Sequence, residues 1–568
     1  MNAETKICQH CKTSFVIEPE DFEFYDKIKV PPPTFCPRCR LQRRLAWFKA
    51  FRLYKRKCDL CGEEKISMYR PDAPYVVYCP ECWLSDKWNA ADYGVDYDFS
   101  KPFFEQFNKQ MHRVPLRGLA ISKDATEFTP FTNHCSNSKN SYLIFYSDYD
   151  EDCLYGFYLA RSKSLLDCSG IWESEGCYDS MNGFRNSRVH GSRGDNHNSI
   201  DCFFVRDAIN AEHCFGSANL HNKKYVLFNE QLSKEEYEKK VNEIDLGSYK
   251  TYQEMKTKSE EVWKSSIPYP YHINYSENST GNHIIYCKNC KECYDSGYCE
   301  NCKYTLLIKN PSVKDSYDYT DWGEGAERLY ECITAGNAIR DVKFSQDLHA
   351  SHDVEYSKSC FASAYLFGCI GIKSGDYYIL NKKYGKKEFF EMRGKIISHM
   401  AEIPYKDEIG RIYGYGEFFP TKLAPHDYND TFANFFFPIK KEMASQEGLT
   451  WMETPQIEYK TTINSDDLPD HIKEATDDVL NKSIKCETCS RGYRIIPQEL
   501  QFLKHYNFPL PRRCPFCRLE EKVRRWIWQL TLVDRNCDRC GAAFRTNYMK
   551  EDAPVVYCKK CYYEEIFI

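Results

Sequence analysis

The sequence contains no run of 18 apolar residues and has a mean hydropathy of −0.64, so it offers no membrane-spanning helix. Its net charge is small, −5 over 568 residues with a pI near 6.3, which excludes a molecule that binds polyanions over its whole surface. It lacks a Walker loop, a nucleotide-binding glycine fingerprint, a GxSxG elbow and an HExxH helix, so the common local signatures of phosphate, dinucleotide, serine-hydrolase and zinc-protease chemistry are missing. The opening MNAETKICQH has nothing of a secretory leader, and a cytoplasmic, reducing location is expected.

Cysteine is the opposite case, with 30 residues. Sixteen of them fall into a pattern that occurs at both ends. The first copy reads Cys8-x2-Cys11 with Cys36-x2-Cys39, then Cys58-x2-Cys61 with Cys79-x2-Cys82. The second reads Cys486-x2-Cys489 with Cys514-x2-Cys517, then Cys537-x2-Cys540 with Cys558-x2-Cys561. The gap between pairs is 24 residues in the first quartet of each copy and 17 in the second. Two CxxC pairs deliver four thiolates to one tetrahedral ion, and a shell closed by four sulfurs leaves no position for water or substrate. Four structural Zn2+ ions are therefore expected, with iron-sulfur ligation as the alternative use of four cysteines.

The flanks suggest how each pair is held. Cys36-Pro37-Arg38-Cys39 places proline at a first helical turn, so the second pair opens a helix. The β-prone runs Lys65 to Tyr69 and Tyr75 to Tyr78, around Pro71-Asp72-Ala73-Pro74, read as a hairpin. Between the two quartets lie Arg40, Arg43, Arg44, Lys49, Arg52, Lys55, Arg56 and Lys57, with Trp47, Phe48, Phe51 and Tyr54 among them and no acidic residue. Such a stretch can hold phosphates and stack bases; it can equally be a solvated helix face with its aromatics packed beneath the zinc site. The nucleic-acid candidates are Arg40, Arg43, Arg44, Trp47, Lys49, Arg52, Lys55, Arg56 and Lys57.

The middle is repetitive. Tyr142, Cys153, Leu166, Cys177, Val189, Cys202, Cys214 and Tyr225 recur every 11 to 13 residues, separated by Ser, Asn, Asp and Gly. A second series, Cys293, Tyr304, Tyr317, Tyr330, Val342, Val354, Leu366 and Tyr377, keeps the same spacing. A period near 12 with short β-prone cores argues for a β-solenoid, and small thiols suit its interior. Each series ends in a helical stretch, the first opened by the capping box Ser233-Lys234-Glu235-Glu236, and a shift of 152 residues aligns the two endings. Cys287-x2-Cys290-x2-Cys293-x5-Cys299-x2-Cys302 either stacks thiols in that core or holds a fifth metal.

The expected fold is thus mainly β with some α: a duplicated β-solenoid-like core with helical caps, flanked at both ends by tandem treble-clef or zinc-ribbon modules. Its segments are a zinc module at 1–90, a connector at 91–131, repeat blocks at 132–265 and 266–402, a connector at 403–485 with a helix from Pro469 to Lys482, and a zinc module at 486–568. The chain resembles a group of uncharacterised bacterial zinc-ribbon or treble-clef proteins with a cysteine-rich repetitive middle, through Cys36-Pro37-Arg38-Cys39-Arg40-Leu41, Phe367-Gly368-Cys369-Ile370-Gly371, Tyr413 to Pro420 and Leu510-Pro511-Arg512-Arg513-Cys514-Pro515. That resemblance implies zinc binding and supplies no activity.

A non-enzymatic scaffold contacting RNA or single strands through the basic N-terminal module leads the functional expectations. A protein-assembly scaffold, including a homodimer, comes next. An enzyme working on the solenoid surface is third, with His190, Arg193, Asp195 and His197, and Asp347, His349, His352 and Asp353, as its acid-base candidates.

Overall fold

The computed structural model describes residues 2–121, 127–310, 312–453 and 460–566. It is a mixed α/β structure, 26% helix and 31% strand, and so carries more helix than the mainly β class expected. Two compact units interleave along the chain. Met1–Leu119 joins Ile273–Thr454 in the first, and Ala120–His272 joins Pro455–Ile568 in the second. Each cysteine module therefore packs with the repeat block remote from it in sequence, and the segment 403–485 is divided between the two units.

The repeats are built on a step of three. His134, Asn137, Asn140, Leu143, Tyr146, Tyr149 and Asp152 all have φ between 50° and 61°, so every third residue turns the chain in the left-handed region. Asn and Asp enter that region more readily than other side chains, which is why they precede so many of the buried cysteines. The residue after each corner points inward: Cys135, Ser138, Ser141, Ile144, Ser147, Asp150 and Cys153 are all buried. The short strands between corners pair in parallel at a step of 12, as in Ser169 with Met181 and Cys202 with Cys214. Four inward residues fall within each step.

This geometry explains why serine and cysteine alternate there. The Cys153 Sγ–H donates to Glu151 O at 3.3 Å, and the Ser141 hydroxyl donates to Lys139 O at 3.0 Å while accepting the Cys153 N–H at 3.0 Å. A short donor two residues beyond a carbonyl satisfies buried backbone groups at the corners, where leaving them unpaired is costly. The five clustered cysteines conform: Cys287, Cys290, Cys293, Cys299 and Cys302 are buried and each donates to the carbonyl two residues earlier.

Both blocks end alike. Lys224–Leu227 folds back on Glu230–Gln231, and Asp376–Ile379 on Lys382–Lys383, as antiparallel pairs. A helix follows each: Lys234–Asn242 with the Ser233/Glu236 capping box, and Lys386–Glu402. In the first unit Arg393 of that helix donates to Glu355 at 2.6 and 3.0 Å, and Lys343 reaches the same carboxylate at 3.0 Å. Burial raises the Glu355 pKa, but Lys343 and Arg393 outweigh it and hold it at about 2. A depressed carboxyl contributes stability above its unfolded pKa and loses it as pH falls through the folded value. The first unit is thus expected to lose about 3 kcal/mol between about pH 4.5 and pH 2 through this group, seen as a falling denaturant midpoint that Glu355→Gln flattens.

Two local expectations are corrected. Glu64–Ser67 pairs with Tyr54–Lys57, and Val77–Tyr78 pairs in parallel with Leu116–Arg117, so the Pro71–Pro74 turn does not close a hairpin. Pro469 to Lys482 forms two 3-10 turns, Ile472–Glu474 and Asp477–Asn481, in place of one helix. Asp470 is used elsewhere: its carboxylate accepts from Ser248 Oγ and Lys250 N at the start of helix Tyr249–Ser265.

Candidate metal centres

Each of the four quartets is assembled from two local structures. In the first pair the chain doubles back through a positive-φ residue placed just after the second cysteine: Lys12, Gly62, Ser490 and Gly541. The N–H of that residue donates to the carbonyl of the first cysteine at 2.8 to 3.2 Å, which closes the knuckle. In the second pair Cys36, Cys79 and Cys514 are N-caps of helices beginning at Pro37, Pro80 and Pro515, so the fourth sulfur of each set rides on the first helical turn. Proline suits that position because its missing N–H would be unpaired there in any case.

The sulfurs converge. Within each quartet all four Sγ atoms lie within 4.8 Å of one another. Cys11 to Cys36 is 3.6 Å, Cys486 to Cys517 is 3.9 Å, Cys489 to Cys514 is 3.7 Å and Cys540 to Cys558 is 3.7 Å. A tetrahedron of metal–sulfur bonds near 2.3 Å has edges of about 3.8 Å. A disulfide would need about 2.05 Å, so the quartets fit a metal and not a bond between sulfurs. Backbone amides also point at the thiolates: Cys36 N–H donates to Cys8 Sγ, Cys79 N–H to Cys58 Sγ and Cys514 N–H to Cys486 Sγ, at 3.2 to 3.3 Å. Burial pushes Cys58, Cys486 and Cys537 up, yet amide donors outweigh it and hold them at about 7, 7 and 6. Each quartet can hold one metal ion, and four protein sulfurs complete its shell. Among the described residues Cys287 to Cys302 does not form such a group; its thiols serve the backbone instead.

The basic stretch between the N-terminal quartets lies elsewhere than a polyanion-facing surface would require. Helix Pro37–Ala46 carries Arg40, Arg43 and Arg44 into the first unit's interior. Arg40 Nη2 meets Asp318 at 2.8 Å, Arg44 Nη1 meets Asp318 at 3.0 Å and Glu331 at 3.4 Å, and Arg43 Nη2 meets Glu331 at 2.6 Å and Glu417 at 2.8 Å. Lys49 pairs with Asp430 in the interior. Trp47 is fully buried against Phe418 and Phe419. Arg56 donates to the carbonyls of Arg70, Ala73 and Tyr75, and Arg52 to the sulfur of Met452. Only Lys55 and Lys57 of the nine candidates are exposed. Arg40, Arg43, Arg44, Lys49 and Arg56 are therefore held by carboxylates and carbonyls of the fold, and Trp47 by aromatic packing, in place of the exposed surface expected.

The same docking recurs in the second unit. Helix Pro515–Leu530 sends Arg518 to Asp167 and Lys522 to Asp179, and Arg518 also reaches Glu499 at 2.8 Å. Arg40 and Arg44 follow Cys39 by one and five residues; Arg518 and Lys522 follow Cys517 identically. Their partners sit at left-handed corners on successive steps of the repeats in each block, Asp318 and Glu331 or Asp167 and Asp179. The signal in the sequence is the acidic residue that follows Tyr317, Tyr330, Leu166 and Tyr178.

The acid-base candidates do not meet at one point. His190 is packed among Phe203, Tyr506 and Phe508, and burial lowers its pKa to about 3. Arg193 turns to Asp179, while Asp195 pairs with His197 at 2.5 Å. Asp347 accepts from Ser359 at 2.7 Å and lies 3.6 Å from His349, and His352 pairs with its neighbour Asp353 at 2.9 Å.

Among the described residues no helix is long and apolar enough to cross a membrane. No family model matches the chain, and no curated protein matches it. Among solved structures, one described as a putative acetyltransferase from Desulfovibrio desulfuricans G20 is 10% identical, with 53% of this chain and 72% of that chain covered, and its TM-score of 0.10 carries no argument about fold or chemistry.

Proposed function

We propose that the protein is a non-enzymatic, zinc-stabilised binding scaffold built from two duplicated β-solenoid blocks, each with twelve residues to a turn in four three-residue sides. The observation that carries this reading is the docking seen twice: a four-cysteine module inserts two basic residues, four apart on one helix, into consecutive carboxylates of a repeat block. Zn2+ is the ion that a closed tetrahedral thiolate shell suits best, and its part here is to hold those helices in place. The modules face inward to the repeats, which leaves the outer faces of the blocks for a partner.

A protein partner fits those faces better than nucleic acid. Tyr275, Tyr286 and Tyr298 form an exposed ladder with ring centroids 5.2 and 5.1 Å apart, beside the linked amides of Asn278, Asn289 and Asn301. The tyrosines are 79%, 49% and 43% exposed, an aromatic and uncharged strip of the kind enriched in protein interfaces. The full-length, metal-loaded protein is accordingly expected to bind a fluorescent single-stranded RNA no tighter than about 10⁻⁴ M at physiological salt. Anisotropy showing much tighter binding, with a steep salt slope abolished by Lys55→Glu and Lys57→Glu, would return the reading to nucleic acid.

A further inference from the structure

The second unit contains a cleft of about 180 Å³ beside the docked pairs Arg518–Asp167 and Lys522–Asp179. Helix Tyr249–Ser265 contributes Tyr249, Tyr252, Gln253 and Lys256 to its walls, and the remainder comes from the repeat block and the C-terminal cysteine module. On the scale where about 10–15 Å³ admits one water, the cleft has space for on the order of ten.

The lining carries five cations, Lys256, Arg512, Arg513, Arg518 and Lys522, and four carboxylates, Asp167, Asp179, Glu487 and Glu521. Asp179 receives Lys522, Lys256 at 3.0 Å and, from outside the lining, Arg193 at 3.2 Å. Arg513 pairs with Glu521, which Arg525 also reaches at 2.9 Å. Asp167 shares Arg518 with Glu499. Glu487 and Arg512 complete the charged lining, and Arg512 is already held by the carbonyls of Ser465, Leu468 and Pro469.

Two oxygens in this lining are left over. Among the described residues Asp167 Oδ1 and Tyr252 Oη are buried with no hydrogen-bond partner, on side chains of residues only 3% and 4% exposed. Arg513 Nε is likewise a buried donor without an acceptor. Such groups are costly to leave unpaired, and they flank a space large enough for a small molecule. The lining thus offers one spare acceptor, Asp167 Oδ1, and one spare donor, Arg513 Nε.

We propose that this cleft binds a small zwitterion, an α-amino carboxylate of about seven to ten non-hydrogen atoms, with its carboxylate toward Lys256 and Arg513 and its ammonium toward Asp167. Tyr252 supplies a hydroxyl to the ligand from the wall between them.

The test is calorimetric titration of the full-length, metal-loaded protein with L-serine and L-glutamate, using acetate and ethylamine as controls that carry one charge each. At least one amino acid is expected to bind saturably with Kd at or below about 1 mM, and the controls at least about tenfold more weakly. Lys256→Ala should weaken binding about tenfold and Tyr252→Phe about threefold. Tyr252→Phe removes one oxygen and keeps the ring against Tyr178, Phe204 and Phe508, so it reports on binding even if the lysine variant folds poorly. Lys250→Ala, on the same helix but outside the lining, should change nothing. No saturable heat up to about 10 mM, acetate binding as well as the amino acids, or a Kd indifferent to both lining variants would each overturn the proposal and leave the cleft to ordered water.

Discussion

Cys39→Ser is expected to reduce the bound metal from four ions to three and to destabilise the first unit by several kcal/mol, since structural zinc supplies roughly 10–16 kcal/mol to small zinc domains. The cysteine stands on the first turn of helix Pro37–Ala46, one residue before Arg40, so losing the ion frees the end of the helix that places the buried arginines. Native mass spectrometry should record three ions, and hydrogen exchange should show lost protection from Pro37 through Ala46 and at the paired strands Tyr317–Gly323 and Ala326–Gly336, which carry Asp318 and Glu331. Four retained ions, or unchanged exchange along that helix, would mean that the quartet does not organise the docking. The corresponding variant Cys517→Ser should act on the second unit in the same way through Arg518.

The second large effect concerns the ion pairs. Arg44→Met leaves Asp318 and Glu331 buried with part of their positive charge removed, and breaking a buried pair from one side costs about 3–5 kcal/mol. Burial already pushes the Glu331 carboxyl up, to about 7, against the pull of Arg43 and Arg44. The double variant Arg44→Met/Glu331→Gln should recover much of the loss, because a buried charge is removed together with its partner. Denaturant unfolding of the single and double variants measures the difference. A single-variant cost below about 1 kcal/mol would be the value of an exposed pair and would contradict the docking described here.

What was legible in the sequence was whatever depends on near neighbours. Cys8-x2-Cys11 and Cys36-x2-Cys39 lie close together in the chain, and ligand spacing is enforced by metal geometry, so the four quartets stood out. The helix at Cys36-Pro37 and the cap at Ser233 also follow from local rules. The repeat appeared as a period near 12, but the three-residue step beneath it did not, because Tyr146, Leu143 and Tyr155 at left-handed corners look like ordinary strand residues. Arg40 to Arg44 looked like a surface because their neutralising carboxylates are far away in the chain. Arg44 and Asp318 are 274 residues apart, and no pattern of adjacent residues records such a pairing.

That separation bears on how the protein is made. Ribosomes synthesise roughly 5 to 20 residues per second, so Arg44 is added to the chain about 14 to 55 seconds before Asp318. During that interval the N-terminal module can load its metal, since both quartets are complete by Cys82, yet its arginines have only water for company. Ala120–His272 emerges next and waits in turn for Pro455–Ile568. Maturation is thus a relay in which each half-finished unit waits while the other's chain is laid down, and an ion bound early by the quartets would hold the first module folded through the delay.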